Sequence, residues 1–314
     1  VDGAGGREGG EVRASGDGGW QRGAGGEGEG VVLIGCRAGS VATERWRSRA
    51  PGTKSRQIDS DPRVIGANYD TAVAICADAR LALSALVQEL EGRGTLSGQA
   101  GAARAKKAWQ GKLAGFEPLA TSPETPIRPE RVIAALARNL DDDAIVVADP
   151  GTPCPYFSAH YRWRQSGRKF ISNRAHGALG YALAAAMGAH IGRPGVKTVA
   201  AMGDGSFGFC CGEYETITRY RMPITSIVFS NSTFGWIKAG QNSGFDKRFY
   251  NVDFGRTDHA AVASAFGVKS WRVEDPGDLD RVLAEALAHD GPTLVDVISQ
   301  PLHEAAAPVS EWVA

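Results

Sequence analysis

Three things are scarce in this chain: unbalanced charge, long apolar runs and paired cysteines. Lys+Arg and Asp+Glu number 35 each in 314 residues, so no bulk field draws the protein to nucleic acid or to an anionic membrane surface. No basic cluster is interleaved with aromatics, which removes the usual nucleic-acid footprint. The longest apolar runs, such as "GYALAAAMGA", fall well short of a membrane span, and the start of the chain has no apolar signal-peptide core. Cys36, Cys76, Cys154, Cys210 and Cys211 are odd in number and scattered, with no C-x-x-C and no His/Cys spacing that suits zinc. They read as small, buried or half-buried residues of a reduced, cytoplasmic protein.

What is abundant is glycine, unevenly spread. Residues 1–30 hold 13 of the 41 glycines and almost no apolar side chains. Such a stretch cannot offset its ordering entropy and is predicted to be disordered; with no initiator Met, it reads as a truncated or misassembled start. Order is expected from "VVLIG" (31–35), followed by two further short strands and an amphipathic helix, "DARLALSALVQELEGR" (78–93). Leu81, Leu83, Leu86, Val87 and Leu90 form that helix's apolar side. Residues 31–93 thus read as a partial α/β domain. Residues 94–128 read as a linker, helical and exposed in "GQAGAARAKKAWQGKLAG" and then punctuated by prolines.

From 129 to about 310, apolar strands alternate with helices, the pattern of a doubly wound parallel sheet. Three strand ends in this region are distinctive: "DPGTPC", "GDGSFG" and "SNSTFG". Ligands in such sheets sit at the carboxyl ends of the strands. Gly203, Gly205 and Gly208 satisfy the dinucleotide pattern G-x-G-x-x-G, but the next strand ends Phe229-Ser230-Asn231, without the acid that would hold a ribose. Asp204, moreover, sets a carboxylate against any pyrophosphate there. A cation resolves both difficulties. Asp204 and Asn231 lie one strand-helix-strand unit apart and supply hard oxygen ligands of the kind Mg²⁺ takes, while the N–H groups of Gly205, Ser206 and Phe207 open a helix that can bond the same phosphates.

"GDGSF", followed one unit later by "SN" and "FG", resembles the thiamine-diphosphate motif of acetolactate synthase, pyruvate oxidase and benzoylformate decarboxylase. The resemblance covers roughly residues 31–310 and implies a thiamine diphosphate- and Mg²⁺-binding fold. It implies Asp204, Asn231 and the Thr233 carbonyl as metal ligands, with Ser230 in place of the usual first Asn. "DPGTPCPYFSAHY" resembles the loop near the diphosphate, which implicates Gly151, Thr152 and Pro153. "RAHGALGYALAAAMGA" resembles the element that holds the aminopyrimidine, through the Gly177 carbonyl and the Leu179 N–H, with the Leu179 side chain as a wedge. Gly203, Gly205, Ser206 and Gly235 complete the implied cofactor contacts. Trp236 and Lys238 fall in the substrate-facing segment, and His176 is a candidate for proton transfer. The remaining histidines read as surface or capping residues.

The departures from the family matter as much. Nothing here matches the pyrimidine-binding domain, whose glutamate activates the cofactor, so the chain is expected to need a partner chain or segment, in a homo- or hetero-oligomer. Acetolactate synthases carry a tryptophan where this chain has Gly240. The expected activity is decarboxylation or carboligation of 2-keto acids, with a benzoylformate decarboxylase-type enzyme or a non-catalytic remnant as alternatives.

Overall fold

The computed structural model describes residues 30–39, 43, 46, 52–94, 99–173 and 176–305. Apart from Gly30, the stretch predicted to be disordered lies outside the described residues. The chain forms two compact units, with the boundary between Leu113 and Ala114. That boundary falls inside a long, mostly exposed helix, Gln99–Ala120, which continues through Pro118 past the end expected from sequence.

The first unit contains three parallel strands, β1 (Gly30–Ile34), β2 (Lys54–Asp59) and β3 (Thr71–Cys76), in the order β1-β2-β3. Central β2 buries Ser55, Gln57 and Ile58. Gln57 organises the neighbouring loops, since its Nε2 donates to the carbonyls of Cys36 (3.1 Å) and Val64 (3.2 Å) and its Oε1 accepts from the Gly66 N–H at 2.9 Å. Helix α1 (Ala79–Gly92) starts at Asp78, whose carboxylate accepts the Leu81 N–H at 3.1 Å. Its apolar stripe departs from expectation: Leu81, Leu83, Leu86, Val87 and Leu90 are exposed, and no residue of the helix is buried. Val73 and Ile75 on β3 are exposed as well, so helix and strand leave one another's apolar residues uncovered in this small unit. Cys76, expected to be at least half-buried, is likewise exposed.

The second unit is a six-stranded, all-parallel sheet. Its strands are β4 (Ile145–Ala148), β5 (Phe170–Ile171), β6 (Thr198–Gly203), β7 (Ile224–Ser230), β8 (Lys269–Val273) and β9 (Thr293–Ile298), in the order β5-β4-β6-β7-β9-β8. Successive strand residues face opposite cores, as the two-residue period of a strand requires. Val146, Ala148, Val199, Ala201, Ile227 and Phe229 point to one, and Ile145, Val147, Ala200, Met202 and Val228 to the other. Counting the Gln99–Ala120 helix as α2, the first face is covered by α3 (Pro129–Asn139), α4 (Pro153–His160) and α10 (Leu279–Ala288). The second is covered by α5 (Tyr181–Gly192), α6 (Asp204–Cys210), α7 (Glu213–Arg219) and α9 (His259–Ala265). A further helix, α8 (Gly235–Gly244), follows β7. Both faces are apolar along their length, which is why these strands read as continuous hydrophobic runs rather than alternating ones.

Strand order fixes where a ligand fits. The chain leaves β4, pairs β5 on one side of it and returns through α5 to place β6 on the other. The crevice between β4 and β6 is therefore the switch point, at the carboxyl ends where such sheets bind ligands.

Candidate functional site

Three acidic or amide side chains stand at this edge, one per strand end. Asp149 follows β4, Asp204 follows β6 with no intervening turn, and Asn231 follows β7. The Asp204 carboxyl is 5 % exposed and ties two strand ends together. Its Oδ2 accepts the N–H groups of Asn231 at 2.7 Å and Ser232 at 2.6 Å, and its Oδ1 accepts the Gly205 N–H at 2.8 Å. Burial pushes its pKa above the ordinary carboxylate value, against the pull of these three donors. Asn231 Oδ1 accepts from the Thr233 N–H at 3.3 Å, while its Nδ2 is buried without a hydrogen-bond partner. Thr233 is held by its own hydroxyl, which donates to the Val252 carbonyl at 2.9 Å.

Asp149 received no role from sequence, yet it is wholly buried and joins β4 to two helices. It accepts the N–H groups of Ala182 at 2.8 Å and Gly180 at 3.2 Å, capping α5 from a neighbouring strand, and bonds the Ser206 side chain in α6. Burial raises its pKa and these donors oppose the rise. Its signal in the sequence is positional: an aspartate ends β4 just as one follows β6.

The expected cofactor residues gather here. Gly205 permits close contact, because a β-carbon on it would lie 2.7 Å from the Phe234 ring. A β-carbon on Gly235 would lie 3.3 Å from Thr152 Oγ1, and one on Gly151 3.8 Å from Leu179 Cδ2, so the three strand-end loops adjoin. Thr152 occupies the N-cap position of α4, which begins with buried Pro153, but makes no side-chain capping bond. The stretch read as a loop, "PCPYFSAH", is this helix. Gly203 ends β6, and Ser206 is buried in the first turn of α6. Gly177 and exposed Leu179 lie in the turn before α5, where the Gly177 N–H donates to the Asn173 carbonyl at 2.8 Å. His176 is exposed, and its N–H donates to the same carbonyl at 3.2 Å.

The substrate-segment residues are differently engaged. Trp236 packs against the first core. Lys238 Nζ pairs with Asp253 Oδ1 at 2.7 Å and sits 5.0 Å from the Phe249 ring centroid, and this pairing holds the Asp253 pKa below its usual value. One histidine departs from the surface reading: His259 is 6 % exposed and bonded to Ser230 beneath the site. Among the described residues, no three His, Cys, Asp or Glu side chains form a metal-ligand group. A cation here is therefore held by the mixed carboxylate, amide and carbonyl set or not at all.

Residues 149–297 match the family model described as thiamine pyrophosphate enzyme, C-terminal TPP binding domain. These residues belong to that family. The chain is 29 % identical over 282 residues to a probable acetolactate synthase large subunit of Methanococcus aeolicus, covering 86 % of this chain and 47 % of that protein. It is 30 % identical over 273 residues to the acetolactate synthase large subunit of Parasynechococcus marenigrum, covering 85 % and 43 % respectively. It is also 28 % identical over 245 residues to pyruvate oxidase of Lactiplantibacillus plantarum, covering 77 % and 40 %. The chain thus carries the thiamine pyrophosphate-binding domain of acetolactate synthase-like enzymes and spans less than half the length of these relatives. Among the described residues, no helix is long and apolar enough to cross a membrane.

Proposed function

We propose that this thiamine pyrophosphate (thiamine diphosphate) domain holds its cofactor through Mg²⁺, bound by Asp204, Asn231 and the Thr233 carbonyl, in an acetolactate synthase-type enzyme acting on 2-keto acids. The observation that carries the reading is the Asp204 carboxylate, buried at the switch point and fastened to the strand end bearing Asn231. A carboxylate, an amide and a carbonyl are hard oxygen donors that suit Mg²⁺. The donor set also has unused capacity, since Asn231 Oδ1 accepts only the Thr233 N–H and keeps a second lone pair for a cation. The residues present therefore fit the ion.

When bound, thiamine diphosphate supplies an electron sink for breaking and forming carbon–carbon bonds beside a keto group. The Ser206 N–H at the start of α6 would meet the diphosphate, with Gly205, whose own N–H is held by Asp204, and Gly203, Gly151, Thr152, Pro153 and Gly235 around it. The Gly177 carbonyl and Leu179 N–H would hold the aminopyrimidine, with the Leu179 side chain wedged against the cofactor. Asp149 fixes the distance between these two regions, because it bonds both Ser206 and the start of α5. Trp236 and Lys238 border the substrate, Lys238 with its charge already balanced by Asp253. His176, in the turn before α5, is the candidate group for proton transfer. No glutamate of the chain matches the activating acid, so turnover requires a pyrimidine-binding domain from another chain or segment in an oligomer.

Gly240, standing where the resemblance places the tryptophan of acetolactate synthases, favours a second reading within the same chemistry. In that reading the reaction is simple decarboxylation, without a second keto acid.

Titration calorimetry with thiamine diphosphate tests the anchor. Binding is expected only with Mg²⁺ present, and Asp204→Asn is expected to weaken it roughly 100-fold, as loss of a charged ligand entails. Binding that ignores Mg²⁺, or tighter binding of NAD, would overturn the proposal. Rapid pyruvate turnover by the chain alone would overturn the need for a second domain.

A further inference from the structure

Behind the residues assigned to the metal lies a buried polar cluster. Ser230, His259 and Asp296 are 5 %, 6 % and 0 % exposed. The Ser230 hydroxyl donates to Asp296 Oδ1 and lies 2.9 Å from His259 Nδ1, and the His259 N–H donates to Asp296 Oδ2 at 3.2 Å. Arg272 Nη1 stands 3.7 Å from the same carboxylate. A serine hydroxyl has one proton. With that proton given to Asp296, Ser230 Oγ accepts, so His259 Nδ1 carries the hydrogen of their bond. The tautomer follows from the network rather than from observed hydrogens.

The imidazole has a second contact. Its ring packs edge-on against Phe207, with centroids 4.9 Å apart at 74°. Phe207 belongs to the first turn of α6, the arm that carries Asp204, whereas Ser230 immediately precedes Asn231 on the other arm. His259 thus touches both halves of the anchor, one by ring packing and the other by hydrogen bond. It is itself fastened to β9 through Asp296.

We propose that His259 is a positioning residue that sets the separation of Asp204 and Asn231, and thereby the preference of the site for Mg²⁺ over larger divalent cations. This rests on the metal-diphosphate reading above. The physical link is coordination geometry. Mg²⁺ demands near-ideal octahedral ligands at about 2.0–2.1 Å, whereas Ca²⁺ accepts looser sets at about 2.3–2.6 Å. A brace that stops the two arms from drifting apart favours the smaller ion.

The test is calorimetric titration of the full chain with thiamine diphosphate in Mg²⁺ and, separately, in Ca²⁺. The proteins compared are wild type, His259→Phe, Ser230→Ala and the double variant. Phenylalanine keeps the packing on Phe207 and removes the Nδ1 donor. Each single variant is expected to lower the Mg²⁺-to-Ca²⁺ affinity ratio by roughly tenfold, the size of effect seen for groups that orient metal ligands. The double variant is expected to lower it no further than Ser230→Ala, which breaks the His259 bond together with the one to Asp296. Ser230→Thr, which keeps the hydroxyl, is expected to restore the ratio, and the serine variants decide the matter if His259→Phe does not fold. A ratio unchanged in the single variants, or halves that add in the double, would overturn the proposal while leaving the anchor intact. A wild type that binds thiamine diphosphate without regard to metal would overturn the anchor reading and this one together.

Discussion

Glu130 has no exposed surface, and its carboxyl oxygens meet no hydrogen-bond donor beyond its own backbone N–H. Burial raises its pKa, outweighing the pull of its own backbone N–H and of the Arg128 charge. A carboxyl whose folded pKa lies above its unfolded value favours the folded state only while it is protonated. Stability is therefore greatest below the unfolded pKa and falls as pH rises through the folded one. Glu130→Gln keeps the shape and leaves a polar group just as buried, but removes the ionisation, so it is expected to stabilise the protein at neutral pH by the cost of charging the buried carboxyl. Denaturation midpoints measured from pH 5 to 8 are expected to decline in wild type and stay level in the variant. Parallel curves would show that the carboxyl finds a partner after all. Nothing in "PERVIAALARN" warns of this: a glutamate in a helix's first turn ordinarily faces water and meets the dipole. His259 was hidden in the same way, because a residue type carries no record of what its neighbours bury.

At the scale of elements, the sequence was read well wherever the pattern was both local and repeated. The strands β4, β6, β7 and β9, and helices α3, α5, α7, α9 and α10, follow from apolar runs bounded by glycine and polar turns. The G-D-G and Ser-Asn strand ends lie side by side because one βαβ unit fixes their spacing. Helices α4 and α8 were read as loop or segment, since "PCPYFSAH" and "GWIKAGQNSG" are rich in proline or glycine and are made helical by what they pack against. The stripe on α1 shows the converse, a correct helix whose burial does not follow from its periodicity. The turn into α5 is the element most exposed to test. Gly180 has φ +83°, and a β-carbon on it would lie 2.9 Å from Phe209 Cβ. Gly180→Ala is expected to cost about 2–3 kcal/mol, from a left-handed alanine together with overpacking. It is also expected to weaken thiamine diphosphate binding, because the same turn carries Leu179 while its N–H is bonded to Asp149. Thermal unfolding and calorimetry on one preparation separate the two effects; lost stability with unchanged affinity would detach this turn from the cofactor.

For the whole molecule, the anchor makes cofactor binding and stability one quantity. A ligand that binds only the folded state stabilises it by about 2.7 kcal/mol at 100 times its dissociation constant. For a unit of this size, 114–314, that corresponds to a rise in melting temperature of roughly 5–10 °C. The rise is expected only when thiamine diphosphate and Mg²⁺ are added together, since each completes the other's ligand set. It has a predicted location as well. Every residue assigned to the anchor lies in the second unit, between 149 and 238, so hydrogen exchange should slow at the amides of β4, β6 and β7. The amides of β2 in the first unit, paired with β1 and β3 rather than bonded to any anchor residue, are expected to exchange at an unchanged rate. Equal slowing in β2 would show that the two units open as one, and that the cofactor's binding energy reaches the sheet of the first unit.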